Sequence, residues 1–522
     1  MKLLDVAARF VTRPRNVGIA AACVAATAMG VAATTPVWDP DVWWVAAAGQ
    51  QTLAQGAVPH QNVFSYIEPT HAWLMHEWLL GPAYASLLAR FGPAAFDAVA
   101  ACSMACALTL LAAATVGRAR HAVVGLAAML AAVAFFGGRF LSARPTGVAL
   151  LFPVALVLVA FGRRFAALSI ALAGAIELVW ANVHGSFPLG IVLLLVAAID
   201  GARDRGRRLA AAAIAGAATF VTPYGLALHR FVWSYFRGSE GIYRAINLHI
   251  TEFGTLREAW GTTVGPVDLL GLVGVAILGA SAARYPRHRA RALLCLGLCA
   301  LALQHARHLE LAGLMSCMLL VPHADALVDR ASGRTAGTPS RPNPRGWRMA
   351  ALLLLPAYVA GPVAFAVMHG RRAPEDWIAA GPSFLRTLGA VPDGASALVP
   401  FQAAGLAIWY GFPRGVRVFF DSRNDAYSVA AFDAFWALEA SSTPPGDRRE
   451  SLERTRTDAA VVRRGDPLSV FLSSEAGWCL ARQEGGWQAY LRAPCRAENG
   501  AARTGPGAAR GTSAQGGGEV SR

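Results

Sequence analysis

The sequence predicts an α-helical polytopic membrane protein of about eleven spans with a small α/β domain near its C-terminus. Three observations carry this. The 522 residues are 55% apolar and only 15% charged, whereas soluble domains average about 25% charged. The 47 Lys and Arg against 32 Asp and Glu leave a net charge of +15, and the basic residues sit in short clusters between apolar runs, the pattern that sets membrane topology. After residue 369 the long apolar runs give way to shorter helix-like and strand-like patterns. This composition excludes a single soluble domain, a disordered chain and a disulfide-rich miniprotein. Nearly all of the positive charge is Arg, Lys2 being the only Lys, and its placement speaks for topology rather than for nucleic acid.

Lys2, Arg9, Arg13 and Arg15 mark residues 1–16 as cytoplasmic, ahead of a first apolar run at 17–37. With many spans following, that run reads as an uncleaved membrane helix rather than a signal peptide. Further spans are expected near 94–116, 121–138, 145–161, 165–182, 186–200, 208–222, 266–282, 291–304, 308–322 and 349–368. Several fall short of the ~20 residues a bilayer needs, so their ends extend into flanking residues. The segment 79–91 is read as a helix lying at the membrane surface. That choice puts Arg118, Arg120, Arg163, Arg164, Arg203–Arg208, Arg284–Arg291 and Arg330–Arg348 all on the cytoplasmic side, as the positive-inside rule asks. It gives eleven spans, a membrane domain over 17–370 with outer loops 38–93 and 223–265, and a C-terminus outside. The linker 331–346 reads as a flexible inner loop.

The stretch 371–495 reads as an extracytoplasmic α/β domain. Helices are expected at 375–389 and 426–440, strands at 397–399, 416–420 and 459–462, and a hairpin around Gly485-Gly486. Cys479 and Cys495 bracket that hairpin, and an oxidising compartment would permit a disulfide. Residues 496–522 are rich in Gly, Ala and Ser and read as a disordered tail. The other six cysteines lie in apolar segments and pack as small hydrophobes.

The acidic outer loop carries the strongest chemical signal. Asp39 and Asp41 follow the first span directly, with Trp38, Trp43 and Trp44 beside them. A carboxylate fixed at a membrane edge can accept a proton or bind a cation; the competing reading is a solvated turn with an aromatic belt. The stretch Trp73–Trp78, which contains His76 and Glu77, is read as opening the surface helix. Adjacent residues on a helix point to different faces, so they make a poor metal pair. Asn182 and His184 end a span, where polar groups need partners. Arg139, Arg144 and Arg307 lie on the outer side against the charge bias, placed to grip a phosphate by forked hydrogen bonds or to pair with Asp39, Asp41 or Glu77. Tyr224 begins the second outer loop in a turn, and His229, Arg230, His249 and Glu252 follow in it. No P-loop, H-E-x-x-H, G-x-S-x-G or dinucleotide fingerprint is present.

These motifs give the chain its resemblance. The first span, the outer loop with Asp39-Pro40-Asp41, the surface helix and the many following spans resemble the GT-C superfamily of integral-membrane glycosyltransferases. More closely, the chain is similar to a group of bacterial multi-span proteins with D-x-W-W (Asp41–Trp44), G…G-x-x-P (Gly49, Gly56, Pro59), N-x-F-S-Y (Asn62–Tyr66), W-x-x-H-E-W-L (Trp73–Leu79) and W-x-N-x-H-G (Trp180–Gly185). The likeness spans about residues 17–370 and, more loosely, Asp421–Tyr427. One departure is that His76-Glu77 stands where protein mannosyltransferases carry a proline pair.

The resemblance implies transfer of a sugar from a polyprenyl-phosphate donor to an envelope glycan, lipid or protein at the outer face of a bacterial cytoplasmic membrane. It implies catalytic roles for Asp41 and Asp39, phosphate binding by Arg139, Arg144 or Arg307, and substrate contacts from His76, Glu77, Asn182, His184 and Tyr224. Asp421, Arg423 and Asp425 join as acceptor contacts or as a turn network. Membrane lipid is the expected surrounding, nucleic acid is not an expected partner, no metal-ligand residues are assigned, and a divalent cation stays open as cofactor. Two other readings are a transporter or flippase of lipid-linked sugar, and a non-catalytic assembly protein on the same scaffold.

Overall fold

The computed structural model describes residues 39–136, 143–162, 165–201, 204–237, 241–333 and 375–493. The expected first and last spans, Arg139, Cys495 and the tail therefore lie outside the described residues.

The helical part begins with α1 (Pro40–Gln55), α2 (Leu80–Phe91), α3 (Ala94–Thr115) and α4 (Ala122–Phe136). It continues through α5 (Pro145–Ala149), α6 (Leu151–Ala160), α7 (Ala167–Val183), α8 (Pro188–Asp200) and α9 (Arg205–Ala218). The second expected outer loop folds into two amphipathic helices, α10 (Leu226–Arg237) and α11 (Ile242–His249), followed by turns. Then come α12 (Pro266–Ala283), α13 (Arg289–Gln304), α14 (Leu309–Leu319) and α15 (Val321–Ala331). Among the described residues α12 alone is long and apolar enough to cross a membrane, and the bent stretch Ala306–Ala331 passes the same test as a pair. Several helices in this part, α12 among them, are apolar all round, and its large side chains Leu270 and Ile277 point outward, 71% and 66% exposed; helices of that kind are at home in lipid or a large core.

Arg208 shows how helix ends are closed at one end of the bundle. Its guanidinium donates to the carbonyls of Ala160, Ala197 and Gly162, satisfying the last turns of α6 and α8, which have no partners within their helices.

The C-terminal domain is a five-stranded mixed sheet flanked by helices. Its elements are α16 (Glu375–Leu388), β1 (Ser396–Leu398), α17 (Phe401–Gly411), β2 (Arg417–Val418), α18 (Val429–Glu439), α19 (Pro445–Arg454), β3 (Ala459–Arg463), α20 (Pro467–Ser474), β4 (Trp478–Glu484) and β5 (Trp487–Arg492). The strand order is β2-β1-β3-β5-β4. β1 runs parallel to β2 and β3, and β5 antiparallel to β3 and β4. The expected hairpin turns at Gly485-Gly486, with Gly485 at φ 55°, the positive φ that a tight two-residue turn demands.

The loop that follows α1 packs directly on the C-terminal domain. Val418 donates its N–H to Phe64 O and Tyr66 donates to Val418 O, so residues 64–66 extend the open edge of the sheet beside β2. Ser65 donates to the Phe419 carbonyl, and the Tyr66 hydroxyl meets that of Thr457. Glu68 takes the N–H and hydroxyl of Ser428 at the start of α18. On the other side, α17 presses on the start of α1, where a Cβ on Gly405 would stand 2.0 Å from the Pro40 carbonyl oxygen. Gly405→Ala is expected to lower stability by about 1–3 kcal/mol, the usual cost of overpacking, read as a lower Tm for the purified chain. An unchanged Tm would mean that the two helices separate freely.

Candidate active site

The first turn of α1 is built to hold two carboxylates. Asp39 is its N-cap and accepts the Asp41 N–H at 2.9 Å, while Pro40 occupies the first helical position, where its missing N–H costs nothing. Asp41 is buried. Its Oδ1 accepts the Trp44 indole N–H at 3.1 Å, a helical turn further on, and its Oδ2 accepts Arg144 Nε at 2.7 Å. The same indole N–H reaches Ser422 Oγ of the C-terminal domain at 3.0 Å.

Arg144 precedes α5, and its turn is fixed by the Tyr84 hydroxyl of α2, which donates to the Ala143 carbonyl. Besides Asp41, its guanidinium forks onto Glu252 at 3.2 and 3.4 Å and lies 3.9 Å from Asp39. Three carboxylates thus surround one guanidinium, and their field holds the Arg144 pKa well above its ordinary value against the opposing effect of burial. Burial, with the nearby Asp41 and Glu252 charges outweighing Arg144, pushes Asp39 up to about 6.

A second cluster adjoins the first. The Glu252 carbonyl accepts the Arg307 N–H at 2.9 Å, and the Arg307 guanidinium lies 4.1 Å over the Phe253 ring. His184 lies within the fields of Arg307 and Arg144; burial first, then the positive neighbours His76, Arg307 and Arg144, press its pKa well below the usual 6.5. Its Nδ1 accepts the Ser186 N–H at 3.1 Å, so the neutral ring carries its proton on Nε2 as a donor. The His76 ring lies 5.9 Å from that of His184 and 5.2 Å from Phe231, and its Nε2 meets Glu77 at 2.8 Å. Burial opposes the His76 charge, but Glu77 overcomes it and the pKa is raised.

The helix expected to begin at His76 and Glu77 begins instead at Leu80. Asn182 is the reason. Its Oδ1 takes the Trp78 indole N–H at 2.7 Å and its carbonyl takes the Leu79 N–H, which pins 73–79 in turns. The two residues expected on opposite helix faces therefore touch each other. Asn182 uses its amide nitrogen on the Leu178 and Val221 carbonyls, so its side chain ties α7 to two loops. The Tyr224 hydroxyl likewise receives the Met75 N–H and donates to the Pro59 carbonyl. Asp41, Asp39 and Arg144 come together, His76, Glu77, His184 and Arg307 gather beside them, Asn182 and Tyr224 buttress the loops, and Arg139 lies outside the described residues.

Across the seam, Asp421 and Arg423 form the turn network. Arg423 forks onto Asp421 at 2.8 and 2.7 Å and reaches Asn62 Oδ1 at 2.6 Å, while Tyr427 donates to Asp421 at 2.6 Å. Asp425 instead faces His76 and Glu77; burial above all, with Glu77 adding to it, lifts its carboxyl to about 6. Sequence reasoning did not weigh Ser422 or Tyr235, whose phenol lies in the fields of Asp425, Arg307 and Glu77, and it gave Glu252 little weight. Nothing local marks them, because tertiary packing alone brings them here. Among the described residues no group of three His, Cys, Asp or Glu is arranged to hold a metal ion.

Known structures share this architecture. The chain is similar to the oligosaccharyltransferase of Archaeoglobus fulgidus tethered to an acceptor peptide, with a TM-score of 0.53, 11% identity, and 90% of this chain and 74% of that one covered. The archaeal AglB in complex with an inhibitory peptide and a dolichol-phosphate aligns with a TM-score of 0.52 at 10% identity, over 90% and 74% of the two chains. ArnT from Cupriavidus metallidurans bound to undecaprenyl phosphate aligns with a TM-score of 0.51 at 12% identity, over 90% of this chain and 97% of that one. No family model matches the chain, and no curated protein matches it in sequence. The chain shares the fold of these proteins, a helical body carrying a small C-terminal α/β domain.

Proposed function

We propose that the chain is a membrane glycosyltransferase that moves a sugar from a polyprenyl-phosphate donor to an envelope acceptor at the outer face of a bacterial cytoplasmic membrane. The observation that carries this reading is the carboxylate pair Asp39 and Asp41, fixed at a helix start and linked through Arg144 and Glu252 to Arg307 and the Nε2–H of His184. A base and anion-binding groups in one place are what glycosyl transfer from a phosphate requires.

In the reaction, the acceptor hydroxyl oxygen attacks the anomeric carbon and its proton passes to the Asp39–Asp41 pair. The bond from that carbon to the phosphate oxygen breaks, and polyprenyl phosphate leaves with the electron pair. His184 Nε2–H and Arg307 meet the charge growing on the phosphate. Arg144, engaged by Asp41 and Glu252, orients the base instead of gripping the phosphate. Asn182 and Tyr224 shape the site without touching substrate.

The test is turnover by the full chain in lipid nanodiscs, read as release of polyprenyl phosphate from a panel of polyprenyl-phosphate sugars with envelope acceptors. Release that requires Asp41 is expected; no release across the panel overturns the reading. A pH dependence follows from Asp39. Its carboxyl, raised to about 6, is ionised and able to take a proton above that pH and is protonated below it. The rate is therefore expected to fall on the acid side with a midpoint near that value, and Asp39→Asn to remove the limb. An unaltered limb in Asp39→Asn would assign the titration to another group.

A further inference from the structure

Buried polar atoms without partners are rare, and each asks for an explanation. Four of them stand around one place in this protein. Glu77 Oε2 and His76 Nδ1 belong to the outer loop, and Asp425 Oδ2 and Asn424 Oδ1 to the C-terminal domain; each is buried without a hydrogen-bond partner among the described residues. Glu77 is only 7% exposed. The two sides meet where the Trp73 ring lies 4.5 Å from the Arg423 guanidinium carbon and Asn62 donates to the Ala426 carbonyl at 2.9 Å; Asp425 lies in the fields of His76 and Glu77 there, and Tyr235 in the field of both carboxyls. One more unpartnered atom, the donor Arg423 Nη1, lies at the same seam against Asn62 and Trp73; the others lie elsewhere in the described chain.

Their chemistry is one-sided. A carboxylate oxygen only accepts while it is ionised, and an amide Oδ1 only accepts, so three of the four demand hydrogen-bond donors. Two of those acceptors belong to carboxyl groups, which repel a further anion. A hydroxyl-rich ring without negative charge supplies donors on several sides at once; an ionised phosphate supplies few or none, and a uronate adds to its hydroxyls a carboxylate that the two acids repel. The neighbouring residues complete the contrast, because Arg307 and His184, one step toward Arg144, offer donors and positive charge.

We propose that His76, Glu77, Asn424 and Asp425 form a sugar subsite that selects a neutral or cationic sugar ring and rejects an acidic one. This rests on the polyprenyl-phosphate reading and adds to it the class of sugar. The subsite spans the seam, so the C-terminal domain supplies part of the specificity.

Binding rather than turnover tests it, with the full chain in nanodiscs and three probes: polyprenyl phosphate alone, polyprenyl-phosphate-linked neutral hexose and polyprenyl-phosphate-linked uronate. The hexose is expected to tighten binding at least about 10-fold over the bare lipid phosphate, the gain of one or two hydrogen bonds to charged groups, and the uronate to give no gain. Glu77→Gln and Asp425→Asn keep the shape and remove the charge. Each should cost roughly 10-fold of the hexose gain, leave bare lipid phosphate affinity unchanged and relax rejection of the uronate. Asn424→Ala should lose hexose affinity alone. Equal gains for hexose and uronate, or variants that leave the hexose gain intact, overturn the subsite. If no lipid phosphate binds, the donor assignment fails, and a soluble neutral disaccharide becomes the probe: saturable binding weakened by Asp425→Asn supports the subsite, and its absence overturns it.

Discussion

Asp41→Asn is expected to reduce sugar transfer by about 10²–10⁴-fold, the usual worth of a positioned general base, while the protein stays folded. The substitution is isosteric and keeps an oxygen for the Trp44 indole, which now donates at 3.1 Å. What it loses is the charge opposite Arg144, 2.7 Å from Oδ2. Arg144 retains its fork on Glu252, so the guanidinium is not stranded, and the Tm should move little. That combination separates the enzyme from the two other readings of the scaffold. A transporter would bind and move lipid-linked sugar without releasing polyprenyl phosphate, and an assembly protein would tolerate the change without loss. The assay is release of polyprenyl phosphate by wild type and Asp41→Asn in identical nanodiscs, with circular dichroism as the folding control. Full activity in the variant removes Asp41 from the chemistry.

Much of this was legible in the sequence because it is written locally. Apolar runs gave the helices from α3 to α9 and from α12 to α14 within a few residues at each end, with 145–161 covering both α5 and α6, whereas α10 and α11 arise in the expected loop 223–265. The alternating pattern about Gly485-Gly486 gave the last hairpin, and the two aspartates around Pro40 marked the turn where α1 starts and Arg144 approaches both carboxylates. What escaped was written at a distance. Asn62 and Arg423 stand 361 positions apart, and no periodicity announces that N-x-F-S-Y and the segment Asp421–Tyr427 are two halves of one joint. The direction of Arg144 depends on Glu252, which its own turn does not reveal. The false helix start at His76 has the same origin, because Asn182 captures Trp78 and Leu79 from a separate helix and local propensity yields to that tertiary bond.

That joint is where the second large effect is expected. Arg423→Ala should destabilise the chain by about 3–5 kcal/mol, the range for removing one partner of a buried ion pair. The side chains of Arg423 and Asp421 are both wholly buried, so the carboxylate left behind has no water to turn to. The Tyr427 hydroxyl and the Arg423 N–H remain on Asp421, which is too little to balance a full charge. The guanidinium also fills space between the rings of Phe64 and Trp73, 4.9 and 4.5 Å from its central carbon, and holds Asn62. Losing it should free residues 60–73 from the sheet edge, and hydrogen exchange at the Tyr66 and Val418 amides should accelerate well before that of β3. Because Ser422 lies between the paired residues and accepts from the Trp44 indole, transfer should fall with the joint although Arg423 touches no substrate. A decisive control is Arg423→Met combined with Asp421→Asn, which removes both charges at similar volume. If the cost is that of an unpaired buried charge, the double variant recovers most of the lost stability; if it stays as unstable as Arg423→Ala, packing between Phe64 and Trp73 is what holds the loop to the domain.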